Sequence, residues 1–545
     1  LSDLTKKEEI VALLEKFIST YSSWIKEKMK ESLNLEDSFK ARATENLNDC
    51  ELACNRMQKG ISALKKKENI FKSFCLMNRA MLLQQIRHNS EPWILTDNNL
   101  DRKAPIVEDK TSWPDWDKDK QINTKLGNWR PFQLAFVLMN LTSLCAELNQ
   151  DKAQEDRSIV DLIWFPTGGG KTEAYFGLTA FNIFSRRLLN KEDDATSIIT
   201  RYTYRVLTAQ QFERSAALIA SCNIVREENI EELGEKEINL GLWIGKTASH
   251  NKIKSSIDEC REITATKLKN PSQPYKKSHR FVLQSCPNCK VSFFQNTAKK
   301  INNLGIKVVR KNGPTRVEYH CPNRLCEFSS RKIPVSSIDE ELFNNPPTFL
   351  IGTVDKFALL PYRRQARKFF GLDTQFSPPD LIIQDELHLI SGPLGSVYGI
   401  YERLINELIV NAANSKGFAP KIVCSTATIN SANDQIKNLY GVNDNSNINK
   451  IEGTLNESTV NLTELNDFQK IPESLKKITT SLDFSGNNEN IKINSFFIGS
   501  EDFKVNGSGI VEGYNNSNTV NLDLEIDEFS PSINNIIKFD SSFQS

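Results

Sequence analysis

The residues best suited to chemistry lie in a glycine-rich loop with the sequence WFPTGGGKTEAYF. Three successive glycines, Gly168, Gly169 and Gly170, let backbone N–H groups turn inward onto phosphate oxygens, where any Cβ would crowd the anion. Lys171 is expected to reach the β- and γ-phosphates, and the Thr172 hydroxyl to bind Mg²⁺. The loop therefore predicts a site for Mg²⁺ and a nucleoside triphosphate such as ATP.

A second segment, PPDLIIQDELHLISGPLGS, supplies the acids that such a site needs. The apolar run LII is typical of a buried strand, and Asp385 and Glu386 follow at its end. We expect Asp385 to hold Mg²⁺ through water and Glu386 to orient or deprotonate the attacking water. His388 completes the D-E-L-H group, which is expected to lie in the same nucleotide site. Together the two segments predict ATP hydrolysis.

These side chains require a scaffold that brings both segments together at one end of a sheet. The apolar run SIVDLIWF before the loop predicts a buried strand, and TEAYFGLTAFNIF after it has helical spacing. A strand, a glycine loop containing Thr167 and a helix together aim a helix N-terminus at a phosphate. Strand-like and helix-like segments alternate over residues 129–440. The fold class is therefore α/β, with a mainly parallel sheet and flanking helices.

The chain is long enough for several domains, since it has 545 residues. Helical periodicity marks the N-terminal region, and the last hundred or so residues are rich in Asn, Ser and acidic side chains. Alternating patches such as TVNLDLEIDEF indicate exposed strands or hairpins in this tail, which is expected to be β-rich or poorly ordered. The predicted regions are a helical part, the first part of the α/β lobe, an insertion, the second part of the lobe and the tail: 1–120, 121–250, 251–345, 346–440 and 441–545.

Four cysteines in the predicted insertion have the spacing of a metal site. CPNC contains Cys286 and Cys289, and CPNRLC contains Cys321 and Cys326. The pattern C-x₂-C…C-x₄-C predicts a zinc ribbon with a structural Zn²⁺, although His320 is an alternative ligand. Runs of basic residues flank both cysteine pairs. They are consistent either with nucleic-acid contact or with a solvated face.

The composition restricts the remaining classes of protein. The net charge of +1 favours no particular partner. No apolar run reaches about 18 residues, and the N-terminus lacks the apolar core of a signal peptide, so no membrane partner is expected. Eleven cysteines spread thinly over the chain favour a reducing cytoplasm.

The motifs follow the order found in superfamily 2 helicases and translocases. PTGGGKT resembles the shorter form of the phosphate-binding loop in these proteins. WRPFQLAF resembles an adenine-reading segment, in which Gln133 would bond adenine. RYTYRVLTAQQFERS and LIGTVDKFALLPYR resemble segments that grip a nucleic-acid backbone, and IVCSTATI resembles the segment that couples ATP state to that grip. The residues that these likenesses place on DNA are Arg205, Thr208, Gln211, Thr353 and Lys356. The residues that they place in coupling are Thr426, Ala427 and Thr428.

Taken together, these segments resemble the DrmA-like helicase subunits of DISARM-type bacterial antiphage systems. The extended DELHLISGPLGS is the most specific piece, and the resemblance covers about residues 125–440. It implies a first RecA-like lobe, and an ATP-driven helicase, translocase or DNA-loading subunit. The implied substrate is phage DNA, and the implied partner is a second defence protein. A restriction-type translocase shares most of these motifs.

The sequence departs from the family pattern in its arginines. A superfamily 2 motor closes ATP between two lobes, and the second lobe supplies arginine fingers, which are worth about 10³–10⁵ in rate. No arginine follows Arg403 in this chain. We therefore expect the chain alone to bind ATP and DNA but to hydrolyse ATP poorly. The alternative is an ATP-switched DNA-binding or loading module without its own second lobe.

Overall fold

The computed structural model describes most of the chain, in segments separated by gaps. The described residues are 1–89, 127–145, 157–164, 170–203, 209–269, 279–294, 304–310, 314–324, 326–390, 392–415, 418–426, 432–441, 451–461, 477–486, 490–499, 503–512 and 519–529. They fall into two compact units. One unit comprises Leu1–Ile390 and Ile400–Ala432, and the other comprises Ser391–Gly399 and Asn433–Ser545.

The first unit contains ten strands, which form a large sheet and a small one. They are β1 (Asp161–Trp164), β2 (Ile198–Tyr202), β3 (Leu240–Trp243), β4 (Ile306–Val309), β5 (Arg316–His320), β6 (Lys332–Ile333), β7 (Val335–Ser336), β8 (Phe349–Thr353), β9 (Leu381–Gln384) and β10 (Lys421–Thr426). The large sheet has the order β1-β10-β9-β2-β8-β3-β7, and every neighbouring pair is parallel. The predicted α/β class with a parallel sheet is confirmed.

Twelve α-helices accompany the strands of the described chain. They are α1 (Lys7–Ser32), α2 (Asp37–Lys66), α3 (Glu68–Asn89), α4 (Pro131–Leu144), α5 (Lys171–Leu189), α6 (Ala209–Glu228), α7 (Ile230–Leu233), α8 (Ile253–Lys269), α9 (Asp339–Asn344), α10 (Val354–Phe357), α11 (Gly392–Val410) and α12 (Ala432–Tyr440). Three short 3₁₀ helices are Leu360–Tyr362, Arg364–Phe370 and Leu387–Leu389. None of the described helices is long and apolar enough to cross a membrane.

The predicted N-terminal helices share one hydrophobic core with the parallel sheet. Helix α2 packs on α4, and α3 packs on α5 and α6. Phe71 and Phe74 of α3 are fully buried in the same cluster as Phe181 of α5. A buried ion pair, Arg56 to Asp161 at 2.6 Å, ties α2 to the first residue of β1. The N-terminal helices therefore help to fix the strand that precedes the glycine loop.

The large sheet is buried on both faces, as its apolar strands require. Every residue of β2, β3, β8 and β9 is buried. The register pairs Trp164 with Thr426 and Gln384 with Cys424. The carboxyl ends of β1, β10 and β9 are therefore level, and the segments that follow them emerge at one edge.

The small sheet is antiparallel, with the order β4-β5-β6. It belongs to the cysteine-containing insertion. Phe293 and Tyr319 of this region are buried and pack against each other, with ring centroids 5.6 Å apart. Both belong to the same hydrophobic cluster as the sheet helices. The insertion is thus part of the core of the first unit.

The second unit contains a five-stranded antiparallel sheet built in sequence order. Its strands are β11 (Ile451–Asn461), β12 (Lys477–Gly486), β13 (Asn490–Gly499), β14 (Phe503–Glu512) and β15 (Thr519–Phe529). Each strand pairs with the next along the chain, with register shifts in all four pairings. The described part of the tail is therefore β-rich, one of the two predicted alternatives.

Candidate nucleotide site and metal centre

The end of the glycine loop is a left-handed glycine directly followed by a helix. Gly170 precedes the first residue of α5 and has φ of +87°, a left-handed conformation that glycine adopts without steric cost. Lys171 follows as the first helical residue, and it is 8% exposed. Thr167, Gly168 and Gly169 lie outside the described residues. The described part places a lysine at a helix N-terminus, where an anion is stabilised.

Gln133 connects the predicted adenine segment to this loop. Its side-chain amide donates a 2.7 Å hydrogen bond to the carbonyl of Gly170, and its carbonyl accepts one from the backbone N–H of Arg130 at 2.9 Å. A Cβ added at Gly170 would lie 2.6 Å from the Gln133 amide nitrogen. The contact to adenine stays a prediction, whereas the contact to the loop is present. Arg130, an exposed cation beside Gly170 that the sequence did not single out, lies at the same place.

The carboxylate of Asp385 lies at the end of β9 and is held by several donors. Its Oδ2 accepts a 2.8 Å hydrogen bond from the Tyr175 hydroxyl. Its Oδ1 accepts hydrogen bonds from the Ser425 hydroxyl and, at 3.0 Å, from the backbone N–H of Glu386. Burial, and next the charge of Asp385, raise the pKa of the Tyr175 phenol well above its usual value. The phenol therefore keeps its proton and can donate.

Tyr175, Tyr202 and Ser425 were missed at the sequence level. Tyr202 is a second buried phenol beside Asp385, and its pKa is raised by burial and by that carboxylate. The sequence could have indicated Tyr175 only through the helical period of α5. Tyr175 comes three residues after Thr172, and residues at this spacing lie on the same face of a helix. The two other residues depend on strand order, which the sequence does not state.

Glu386 follows Asp385 in the chain, and its carboxyl lies close enough to Lys171 of the glycine loop to interact with its charge. Its backbone is left-handed, with φ of +50°, a strained conformation for a non-glycine residue that clusters at functional sites. Burial raises the pKa of Glu386, and the charge of Asp385 raises it further, whereas Lys171 and His388 oppose the shift. The fold therefore brings Lys171, Asp385 and Glu386 together, as the two motifs predict.

His388 links the acidic segment to β10. Its Nδ1 lies 2.9 Å from the hydroxyl of Thr426 and 3.4 Å from a carboxylate oxygen of Glu386. Thr426 is fully buried at the end of β10. Ala427 and Thr428, the two other predicted coupling residues, lie outside the described residues. Together with the bond from Ser425 to Asp385, this contact directly connects the predicted catalytic and coupling segments in the described part of the chain.

The donor set at this edge fits Mg²⁺. Thr172 contributes a hydroxyl, and Asp385 and Glu386 contribute carboxylates, which are the hard oxygen ligands that Mg²⁺ prefers. Both oxygens of Asp385 already accept hydrogen bonds from the protein. This favours contact with the ion through water, since Mg²⁺ usually keeps several of its waters.

Of the five predicted DNA-contacting residues, the structure describes Gln211, Thr353 and Lys356. Arg205 and Thr208 lie outside the described residues, and Gln211 is half-buried on α6. Thr353 is buried at the N-terminus of α10. The ammonium of Lys356 donates to Asp339 at 3.0 Å in a buried ion pair. Because Lys356 is buried and its ammonium is paired with Asp339, its predicted DNA contact stays a prediction.

The four predicted zinc ligands converge. The sulfurs of Cys286, Cys289, Cys321 and Cys326 all lie within 4.8 Å of one another, and all four residues are buried. The Cys286 and Cys326 sulfurs are 3.8 Å apart, and those of Cys289 and Cys321 are 3.4 Å apart. Tetrahedral zinc with bonds of about 2.3 Å requires sulfur separations of about 3.8 Å. The four cysteines therefore fit a tetrahedral zinc ion.

His320, the alternative ligand, faces elsewhere. Its Nε2 lies 3.1 Å from Glu318, and it is not part of the cysteine cluster. Burial raises the pKa of the Cys286 thiol well above its usual value, and the neighbouring thiols act in the same direction. Buried thiols held this close are chemically suited to a divalent cation that replaces their protons.

Polar groups outside the cysteine cluster support it. The Asn288 side-chain amide donates to the sulfur of Cys326 at 3.3 Å and to Glu327 at 2.6 Å. Glu327 in turn lies 3.8 Å from the buried guanidinium of Arg87 on α3. Such outer contacts orient metal ligands. Here they also connect the metal centre to the N-terminal helices.

Comparison with known proteins supports the family resemblance. No family model matches the chain. It is 33% identical over 479 residues to the DISARM protein DrmA of Bacillus paralicheniformis, and the alignment covers 80% of this chain and 39% of that protein. The resemblance to DrmA-like proteins is thus confirmed, and the chain spans about two fifths of the length of this relative.

Two solved structures were also matched. The Mycobacterium smegmatis helicase Lhr, bound to ssDNA and AMP-PNP, is 14% identical, with a TM-score of 0.27 over 56% of this chain and 26% of that one. The DUF1998 helicase MrfA is 13% identical, with a TM-score of 0.26 over 56% of this chain and 31% of that one.

Proposed function

We propose that the chain is an ATP-binding lobe of a DNA helicase or translocase subunit that acts in antiphage defence. The observation that carries the proposal is the meeting of Lys171, Asp385 and Glu386 at one edge of a parallel sheet. The 33% identity to a DISARM protein indicates the biological setting. Phage DNA as substrate and a second defence protein as partner follow from that setting.

The residues of the site divide the work of hydrolysis. Lys171 binds the β- and γ-phosphates, and the backbone of the glycine loop cradles them. Glu386 accepts a proton from the attacking water or orients it, and its raised pKa makes it a stronger base than an ordinary glutamate. Mg²⁺, when bound by Thr172 and through water by Asp385, would neutralise the charge that develops on the phosphates.

The cysteine cluster is proposed to hold a structural Zn²⁺. Its four buried sulfurs leave no position for substrate, which is the arrangement of a structural site and not of a catalytic one. The zinc would fix the insertion against α3 through Asn288 and Glu327. Nucleic-acid contact by the basic residues around the cysteine pairs stays a prediction.

A second candidate function is an ATP-switched DNA-binding or loading module. The observation that favours it is the absence of any arginine after Arg403 in the sequence. Among the described residues, Arg130 is a cation near the end of the glycine loop, and no described arginine has been placed opposite Lys171. In this reading ATP binding alone would change the grip on DNA, and the arginine would come from another lobe or another protein.

ATP turnover with and without DNA tests the two functions. The purified chain should bind ATP, and its turnover should stay below about 1 s⁻¹, the low end of typical enzymes, even with saturating DNA. Adding the natural partner or a second lobe should raise the rate if the chain is part of a motor, and should leave it unchanged if the chain is a switch. If the chain binds no ATP under any condition, both functions are wrong.

DNA binding is tested by its dependence on salt. We expect contacts to the phosphate backbone, from Arg205, Thr208, Gln211 and Thr353. The salt dependence comes from phosphates neutralised by lysine and arginine, and about six such contacts, from Arg205 and basic residues near these segments, would lose about 10³-fold in affinity between about 50 and 200 mM salt. An affinity that does not change over this range would contradict backbone recognition.

A further inference from the structure

Tyr175 stands between the two predicted metal-binding residues. It is buried in α5, one turn after Thr172, and is 1% exposed. Its hydroxyl oxygen lies 2.8 Å from Oδ2 of Asp385 and 3.2 Å from Oγ1 of Thr172. One phenol therefore touches both side chains that the proposed ATP site uses for Mg²⁺.

The carboxylate of Asp385 constrains the donor and acceptor roles among these three groups, to which Tyr202 is also bonded through Tyr175 and Asp385. An ionised carboxylate can only accept, so the single hydrogen of the Tyr175 hydroxyl goes to Asp385. The phenol then has only lone pairs to offer Thr172, and the Thr172 hydroxyl must donate to it. With its hydrogen turned toward Tyr175, Thr172 presents its own free lone pair in another direction. A lone pair is what a metal ion requires of a hydroxyl ligand.

The second carboxylate oxygen is held independently. Oδ1 of Asp385 accepts from the Ser425 hydroxyl and from the backbone N–H of Glu386. These contacts and the bond from Tyr175 hold the carboxylate from two sides. The hydroxyl of Thr172 has no comparable second contact among those described, so its direction depends mainly on Tyr175.

We infer that Tyr175 is a positioning residue for Mg²⁺, which aims the hydroxyl of Thr172 and the carboxylate of Asp385 at the ion. This inference rests on the proposed ATP site. Tyr175 does not touch the nucleotide or the metal in this role. Its effect should therefore appear in the part of nucleotide binding that depends on Mg²⁺, and not in binding of the nucleotide itself.

The test is the affinity for ATP, measured by calorimetry in excess MgCl₂ and again in EDTA, for wild type and Tyr175→Phe. Phenylalanine keeps the ring in the core and removes only the hydroxyl. We expect the affinity in MgCl₂ to fall about tenfold, the effect of one hydrogen bond to a charged group, and the affinity in EDTA to stay unchanged. The Mg²⁺ concentration that gives half of the full effect should rise.

Two further variants separate positioning from packing. Tyr319→Phe removes another buried phenol, in the cysteine insertion, and should leave both affinities unchanged. Thr172→Val removes the other end of the link. In that background Tyr175→Phe should cost much less than tenfold, because coupled residues are not additive.

The outcomes distinguish this inference from the proposed function. If wild type binds no ATP in either buffer, the ATP site is wrong, and the inference falls with it. If wild type binds ATP more tightly in MgCl₂ and Tyr175→Phe behaves identically, the ATP site stands and only the role of Tyr175 is overturned. An equal loss in both buffers would likewise reject positioning and indicate a packing role.

Discussion

Two groups of charged residues at the carboxyl end of the parallel sheet differ in how their charges are paired. The nucleotide half, formed by Lys171, Asp385 and Glu386, places two acids side by side, and the charge of Asp385 raises the pKa of Glu386. In the ion-pair half, formed by Lys356 and Asp339, one cation meets one anion at 3.0 Å in a buried contact. The Lys356 ammonium also lies 5.8 Å from the centre of the Trp243 ring.

This difference in charge distinguishes residues suited to binding a ligand from residues that stabilise the fold. Two neighbouring carboxylates repel each other, and a bound cation relieves that repulsion. In a buried ion pair each charge has an opposite partner, and although burial still raises the pKa of Asp339, Lys356 opposes that shift. Removing one partner leaves an uncompensated charge. The cysteine cluster resembles the nucleotide half in this respect, since its four sulfurs converge on one point. The comparison therefore predicts where ligand removal matters and where side-chain removal matters.

The largest effect should come from removing the proposed zinc. The Cys286→Ser, Cys321→Ser double variant should lose one zinc per chain by metal analysis, and the insertion should unfold. Structural zinc contributes about 10–16 kcal/mol in small zinc domains at neutral pH. Cys50→Ser, which changes a half-buried thiol outside the cluster, is the control and should keep its metal. Wild-type protein without metal would contradict the prediction.

The ion-pair half should respond to side-chain removal. Lys356→Ala leaves Asp339 buried without its cation, which should destabilise the fold by about 3–5 kcal/mol. Chemical denaturation measures this. The double variant Lys356→Met, Asp339→Leu should recover most of the loss, because an apolar pair of similar size needs no partner charge.

The same variant tests the predicted DNA contact of Lys356. If Lys356 is structural, the Lys356→Met, Asp339→Leu chain should bind DNA as wild type does. If it instead folds normally and loses DNA affinity with a shallower salt dependence, Lys356 contacts phosphate after all and the comparison of the two halves fails.

The two halves also differ in how far the sequence predicts them. Lys171 and Asp385 are each fixed by a short motif that carries its own strand and turn, so local spacing was enough to predict that they meet. The fate of Lys356 depends on Asp339, which belongs to another helix, and no local pattern indicates that pairing. Ser425 reaches Asp385 because β10 lies next to β9, which is a matter of strand order, and Tyr175 reaches it because α5 packs on β9.

The nucleotide half should be sensitive to its single lysine. Lys171→Ala removes the cation that faces the phosphates and should weaken ATP binding by about a hundredfold, the upper range for hydrogen bonds to charged groups. Calorimetry in MgCl₂ measures this, with Lys26→Ala on the exposed face of α1 as control. The fold should remain intact, in contrast to Lys356→Ala. Unchanged affinity would mean that ATP binds elsewhere.

The smallest effect should be a dependence of stability on pH that belongs to Glu386. Burial and the charge of Asp385 raise the pKa of Glu386 in the folded chain above its value in the unfolded chain. The folded state therefore binds this proton more readily, so the contribution of Glu386 to stability is present at low pH and is lost as pH rises through the raised pKa. The difference in unfolding free energy between wild type and Glu386→Gln should accordingly fall as pH increases from the ordinary glutamate range to just above it. Glutamine cannot ionise and keeps nearly the same shape, so the difference isolates this one carboxyl.

Bound MgATP should reduce the pH dependence of stability, because Mg²⁺ near Asp385 offsets the repulsion that raises the pKa of Glu386. A difference that is flat with pH, or that rises, would mean that neither burial nor the charge of Asp385 raises the pKa of Glu386 in the folded chain.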